Sequence, residues 1–442
     1  MNASPSSGAA LLAEGLRVLA AHQDRAGRTL SLIPSEGVMA PLARLPLVAD
    51  LAARYLFDED PDPQMGDWRF PSAREAAWLE TGLAVPLLAR MLGAASVNVR
   101  PLSGLHALQM VIAALAGPPG TTVACLSPAQ GAHYATADVA RRLGHDVVHL
   151  PAPDGRPRQV DPDGVCALLR ACRPSLVYVD QCHALEVLDM RALADAVKAA
   201  GMGTVLHADI SHTLGLVLGG ALPNPLAEGA DSVSASTHKT FPGPPKGIIA
   251  TRTPGLGERV RAVQPQSVSQ HHLGAVAALG LALASFTDHA PLYAHAVLAN
   301  ARTLGKHLAH GGWTLEGAPF GYTRTHQLWV TRTPLPAREA AGRLYGAGIH
   351  VNWLTDLPLP GPALRLGVAE ATWLGLTGGD MEALAGIMTA AVDGSRPLEE
   401  LAARTAALRP ARPYPYATPP APAGRAAAGA VAAAALGEVG GS

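Results

Sequence analysis

Three short segments carry the residue types best suited to chemistry. In ADSVSASTHKTFPGPPKGIIATR, a run of small and β-branched residues ends at Ser236 and is followed by Thr237, His238 and Lys239, then by Pro and Gly. A lysine at the carboxyl edge of a central strand faces the crevice in which open α/β sheets bind ligands. Its amine can condense with an aldehyde to form a covalent imine. A solvated loop lysine is the competing reading, but the chain has only Lys198, Lys239, Lys246 and Lys306, so Lys239 is not one of many. In VLHADISHTLGL, Asp209 ends a second run and His212 follows three residues later. A carboxylate there can keep a pyridine nitrogen protonated, and the histidine can approach the ring's phenolic oxygen; a plain helix N-cap is the alternative. In VNVRPLSGLHALQMVIAAL, Ser103 and Gly104 open an amphipathic helix. A hydroxyl and free N–H groups at a helix N-terminus suit a phosphate, although Ser-Gly before a helix is common.

The elements that must position these groups follow from the hydrophobic pattern. Strands are expected at 97–100, 122–126, 146–150, 176–180, 204–210, 231–236 and 247–251, with helices at 104–115, 135–143 and 190–200 between them. Such alternation implies an α/β fold with a mostly parallel sheet covered on both faces. A helical pattern over 274–287 continues through 293–311; short strands at 326–331, 350–352 and 363–368 then interleave with helices at 337–345 and 381–392, a compact α+β lobe. The expected organisation is a helical arm (1–30), a large domain (31–280), a small C-terminal domain (281–405) and a Pro- and Ala-rich, disordered tail (406–442).

Composition excludes several classes of function. The 442 residues are 48% apolar and 16% charged, with a formal net charge of −1, which leaves no electrostatic footprint for nucleic acid or an anionic membrane. Four cysteines, Cys125, Cys166, Cys172 and Cys182, form no CxxC pair and read as reduced, mostly buried thiols of a cytoplasmic protein. The N-terminal segment has no signal-peptide pattern, and the reading calls for no metal.

The strings SLIPSEG, PLSGLHALQMVIAAL, AQGAHYATA, DISHTLGLVLGGALPNPL, STHKTFPGPPKGIIATR and PALRLGVAEATWLG together resemble serine hydroxymethyltransferase, a fold-type I pyridoxal-phosphate (PLP) transferase family, over roughly residues 30–395. The resemblance implies that Lys239 carries PLP as a Schiff base, with His238 beside the phosphate. It implies that Asp209 pairs with the pyridinium nitrogen, His212 contacts the phenolic oxygen, His133 stacks on the ring, and Ser103 and Gly104 cradle the phosphate. Arg365 matches the arginine that holds the substrate carboxylate, a task for a planar bidentate fork. Ser35 and Tyr55 match active-site positions, Tyr55 reaching in from the second subunit of a homodimer.

Departures from the family decide the expected reaction. Where the family carries a folate-serving glutamate two residues after the tyrosine, this chain has Phe57, then Asp58, Glu59 and Asp60. The second serine of the phosphate motif is Leu105, and the arginine expected after Gly-Pro is Pro245, with Lys246 next to it. A Gly-rich loop that crosses the dimer interface is replaced by QPQSVSQHHLG, where His271 and His272 read as a solvated loop, and the segment after Asn352 is short. The resemblance therefore points to the folate-independent variant group of L-threonine transaldolases of specialised metabolism, acting on an amino acid and an aldehyde. His133 or an acid of the run beginning at Asp58 is the candidate base for C–C cleavage. The alternatives are a serine or α-methylserine hydroxymethyltransferase that uses tetrahydrofolate, and a catalytically silent scaffold.

Overall fold

A computed structural model describes residues 7–57 and 68–436. Its centre is a seven-stranded sheet with the spatial order Ser96–Asn98, Gly247–Thr251, Ser232–Ser236, Val205–Asp209, Leu176–Asp180, Thr122–Cys125 and Asp146–His149. Gly247–Thr251 runs antiparallel to both its neighbours, and every other pairing is parallel. The three strands Leu176–Asp180, Ser232–Ser236 and Gly247–Thr251 are buried at every residue. Burial on both faces fits their runs of apolar and small residues.

Covering helices are cut to length by local chemistry. Met190–Ala200 starts where the Asp189 side chain accepts from the Ala192 N–H, buries Met190, Leu193, Ala196, Val197 and Ala200, and stops at Gly201 with φ 72°. That is one apolar face at helical spacing between an N-cap and a left-handed C-terminal glycine. Gly104–Leu115 is capped in the same way by Ser103, whose oxygen accepts from the His106 N–H at 3.1 Å.

The C-terminal lobe holds a four-stranded antiparallel sheet with the order Asn352–Leu354, Ala363–Gly367, Gln327–Arg332 and Thr314–Leu315. The N-terminal strand Leu30–Ser31 pairs in parallel with Ile349–His350, so the start of the chain is docked on this lobe across the arm–large-domain boundary drawn from sequence. The segment that follows is clamped from two sides. A Cβ on Gly37 would lie 2.7 Å from the Lys239 carbonyl oxygen, and one on Gly367 would lie 2.7 Å from the Pro34 Cα. Only glycine permits both approaches, and together they set the Ser35 turn between the Lys239 loop and the strand that carries Arg365.

The tail differs from its expectation. Tyr416 packs edge-on against Tyr293 at 5.6 Å, Tyr414 accepts from Arg44 at 3.1 Å, the Thr418 N–H reaches the Ser285 carbonyl at 2.8 Å, and Pro422–Leu436 is helical. Two tyrosines offer enough ring surface to order a Pro-rich stretch that average composition marks as loose. No single described helix is long and apolar enough to cross a membrane.

Candidate active site

The carboxyl ends of the central strands open onto a cavity of about 190 Å³ lined by Ser103 and Gly104, by His133, Asp180, Cys182, Asp209 and His212, and by His238 and Lys239, among others. The sheet register sets Asp180 directly beside Asp209 on neighbouring parallel strands. A larger cavity elsewhere, walled by Glu80, Asn98, Arg100 and Gln264, holds neither Lys239 nor Asp209, and the chemistry lies with the smaller one.

Asp209 receives three donors: Ser234 Oγ at 2.8 Å and Tyr178 OH at 3.5 Å on Oδ2, and the Ser211 N–H at 2.9 Å on Oδ1. That is the solvation a carboxylate needs inside a protein. Lys239 has its amine pulled below the usual lysine range, first by burial and then by the Arg365 charge, with Asp209, Cys182 and Asp180 opposing. A lysine moved this way holds more of the free amine that imine formation uses.

His212 is 5% exposed, and burial drives its pKa well below the ordinary histidine value, so the ring is neutral. Its tautomer can be read from its neighbours. The Trp329 indole, a donor only, points at Gln327 Oε1 at 3.2 Å, which turns Gln327 Nε2 toward His212 Nδ1 at 3.4 Å. Nδ1 therefore accepts, and the proton sits on Nε2, which faces Cys182 Sγ at 3.6 Å. The pKa of His133 is lowered by burial and then by Lys239. The Ala135 N–H donates to its Nδ1 at 3.3 Å, leaving Nε2 as the protonated nitrogen.

Arg365 is 6% exposed, with Nη1 3.1 Å from His183 Nδ1, Nη2 donating to Asn352 Oδ1 at 3.2 Å, and Nε without a partner. No described carboxylate lies within ion-pair reach of it. A buried guanidinium with an unused donor can receive an anion from outside the chain. His183 beside it is pushed down to about 4 by burial and by this arginine, and so remains neutral.

The other sequence-derived residues divide. Ser35 is half-buried on the clamped turn. Tyr55 is 40% exposed and stacks with Phe57 at 5.9 Å and Phe70 at 5.2 Å, away from the cavity of its own chain. Asp58, with Glu59 and Asp60, lies outside the described residues. His271 corrects the expectation of a solvated loop: it is 4% exposed and its Nε2 meets Glu80 Oε2 at 2.8 Å, while Glu80 also takes Arg100 Nε at 2.7 Å. His272, at φ 58°, stays exposed. The thiols are free, but only Cys125 is buried; Cys166 and Cys182 are half-buried and Cys172 is exposed, so the mostly buried reading does not hold. Sequence reasoning passed over Asp180, Cys182, Ser211, Ser236 and Gln327. Of these only Asp180 carried a signal, since LVYVD ends in an acid just as VLHAD does.

The residues fit PLP on grounds internal to the structure. Ser236 Oγ and His238 Nδ1 are buried without partners at the cavity wall, next to the capped N-terminus of Gly104–Leu115. A Cβ on Gly104 would lie 2.9 Å from the Ser236 Cβ and 3.3 Å from Ser211 Oγ, so the backbone N–H groups stay open to an anion. Fold and site together define a PLP-dependent enzyme of fold type I, with a mostly parallel sheet and a small C-terminal lobe.

Comparison with known proteins narrows the class. The family model for serine hydroxymethyltransferase matches residues 89–388, and the chain belongs to that family. It is 44% identical over 85% of its length, and 91% of the relative's, to an L-threonine:uridine-5'-aldehyde transaldolase from a Streptomyces species. A second relative with that name, from an Amycolatopsis species, is also 44% identical, over 80% of this chain and 85% of its own. The serine hydroxymethyltransferase of Pyrobaculum aerophilum is 34% identical over 87% of this chain and 89% of its own. The crystal structure of L-threonine transaldolase from Pseudomonas fluorescens in its internal aldimine state superposes with a TM-score of 0.82 at 26% identity, covering 93% of each chain.

Proposed function

We propose that this chain is a folate-independent L-threonine transaldolase whose acceptor is a nucleoside 5'-aldehyde of the uridine type. The substrate would lose acetaldehyde from its Cα–Cβ bond, and the glycine unit left behind would add to the second aldehyde to give a β-hydroxy-α-amino acid. PLP supplies the electron-withdrawing ring that makes the Cα carbanion accessible. The observation that carries the reading is Phe57. The family's folate-serving glutamate is replaced by a ring that stacks on Tyr55 and meets Phe70 at a tilt, and such a side chain can neither hold nor move a proton for folate chemistry. The higher identity to transaldolases than to hydroxymethyltransferases points the same way.

In this reading Lys239 anchors the cofactor, and Asp209 faces its ring nitrogen. His212 would sit near the ring oxygen, and His133 would stack on the ring. Ser103, Gly104 and His238 hold the phosphate, while Arg365 and Ser35 take the substrate carboxylate. With Nε2 of His133 already protonated, the run Asp58–Glu59–Asp60 becomes the better source for the base that takes the β-hydroxyl proton. A homodimer would deliver Tyr55 to the neighbouring site. Two features support it: the exposed Tyr55–Phe57–Phe70 cluster, and the helix Gly8–Ala26, which buries none of its residues and leaves Leu11, Leu12, Leu16 and Leu19 each more than half exposed. The enzyme would act in the cytoplasm.

The test is incubation of the purified protein with L-threonine and uridine-5'-aldehyde, with and without tetrahydrofolate. Acetaldehyde release and a new β-hydroxy-α-amino acid in the absence of folate are expected. Glycine formation from serine that requires tetrahydrofolate would overturn the assignment.

A further inference from the structure

Two carboxyl groups stand side by side on the floor of this cavity, and the reaction as described uses only one. Asp180 ends Leu176–Asp180 in register with Asp209 and is 4% exposed. Its two oxygens have opposite surroundings. Oδ2 accepts from Thr136 Oγ1 at 2.6 Å and from the His133 N–H at 3.1 Å; Oδ1 is buried without any partner in a residue that lines the cavity. Asp209, by contrast, has donors on both oxygens.

We propose that Asp180 is a second functional carboxyl of this site, protonated on Oδ1 up to neutral pH, with Oδ2 anchoring the His133 loop and Oδ1, when protonated, donating a hydrogen bond to the ligand that fills the cavity. The asymmetry of partners places the proton. An oxygen that already accepts two hydrogen bonds has no reason to carry it, whereas an unpartnered buried oxygen beside a second carboxylate does. Environments that drive paired carboxyl groups apart make one an acid and leave the other charged.

The groups facing Asp180 agree. Asp209 on one neighbouring strand, Tyr178 on its own and Cys125 on the other neighbour bring no positive charge. His133 is held neutral by burial. Lys239 lies within electrostatic reach, and burial lowers its own tendency to carry charge. Burial and the Asp209 charge bring Asp180 to about 7, against the pull of Thr136 and the His133 N–H.

The inference rests on PLP binding and not on the identity of the acceptor aldehyde. It is tested on the PLP-loaded protein by titrating its visible absorption between pH 5.5 and 9 in wild type, Asp180→Asn, Asp180→Ala and Thr136→Val. Asparagine reproduces the neutral acid, accepting through Oδ1 and donating through its amide. Asp180→Asn is therefore expected to keep the low-pH spectrum across the range and at least half of the activity. Wild type should change with a midpoint of about 7, and Thr136→Val, which removes a donor to the ionised form, should move that midpoint upward. Asp180→Ala should lose ten-fold or more in activity with the fold retained by circular dichroism. Superimposable titrations of wild type and Asp180→Asn, or an Asp180→Asn protein as damaged as Asp180→Ala, would overturn the proposal. If Asp180→Ala fails to fold, the asparagine and valine variants decide the matter alone.

Discussion

Lys246 offers the most quantitative test of how this molecule is held together. It is 1% exposed, and its Nζ donates to the carbonyl oxygens of Arg100 at 3.3 Å and His271 at 2.8 Å. Gly247 beside it donates its N–H to the Pro101 carbonyl at 3.0 Å, so the pair fastens the strand exit that leads to Ser103. Burial lowers the ammonium to about 7, with Arg100 adding to the effect and Glu80 opposing it. In the unfolded chain the group titrates near the ordinary lysine value of 10.5. Between these values the unfolded state binds a proton that the folded state has shed, so stability rises with pH. The penalty is fully present below the folded value and gone above the unfolded one. Integrated from pH 7 to pH 9, the gain is about 2 kcal/mol. Lys246→Met keeps the volume but cannot titrate, and leaves two carbonyl groups short of a donor at about 1–3 kcal/mol each. That cost is nearly constant with pH, whereas the ionisation contribution is not. Urea denaturation of both proteins at pH 7, 8 and 9 should show the advantage of wild type growing by about 2 kcal/mol across the series. Glu80, Arg100 and His271 are present in both and cancel to first order. A difference between the two proteins that stays level over this range would refute the reasoning.

Two further expectations concern ligand binding. Replacing Arg365 by lysine should raise KM for L-threonine ten-fold or more, because a point charge cannot supply the fork that a carboxylate engages; steady-state rates would show it, and an unchanged KM would remove Arg365 from the substrate site. Gly104→Val should strip the cradle of its cofactor, since even a Cβ there falls 2.9 Å from the Ser236 Cβ. The protein should purify colourless and lose about 1–3 kcal/mol of stability from overpacking, whereas a yellow Gly104→Val protein would mean that phosphate is bound elsewhere.

The parts of this molecule that could be read from sequence are those set by neighbours along the chain. The inner strands of the central sheet announce themselves because a strand buried on both faces is built of apolar and small residues, and Lys239 and Asp209 stand out as charged residues at or just beyond such runs, as Ser103 does at a helix start. The N-terminal arm helix and the cap at Ser103 follow from local spacing in the same way. What escaped is set by partners far off in the chain. His271 looked like a loop residue because its partner Glu80 is 191 positions away, and nothing near it in sequence signals burial. The tautomer of His212 depends on Gln327, 115 positions away, whose own orientation depends on Trp329. Composition averaged over the tail hid two tyrosines that dock on Tyr293 and Trp373.

Asp180 falls between these cases. Its acid at a strand end was visible, but its neutrality depends on the sheet register that sets it beside Asp209 and on a loop that spends its donors on one oxygen only. A sequence motif fixes which residues reach a site. The protonation state in which they arrive is decided by the tertiary packing around them, and in this fold that packing gives two chemically identical side chains unlike surroundings, with donors on both oxygens of Asp209 and on only one of Asp180.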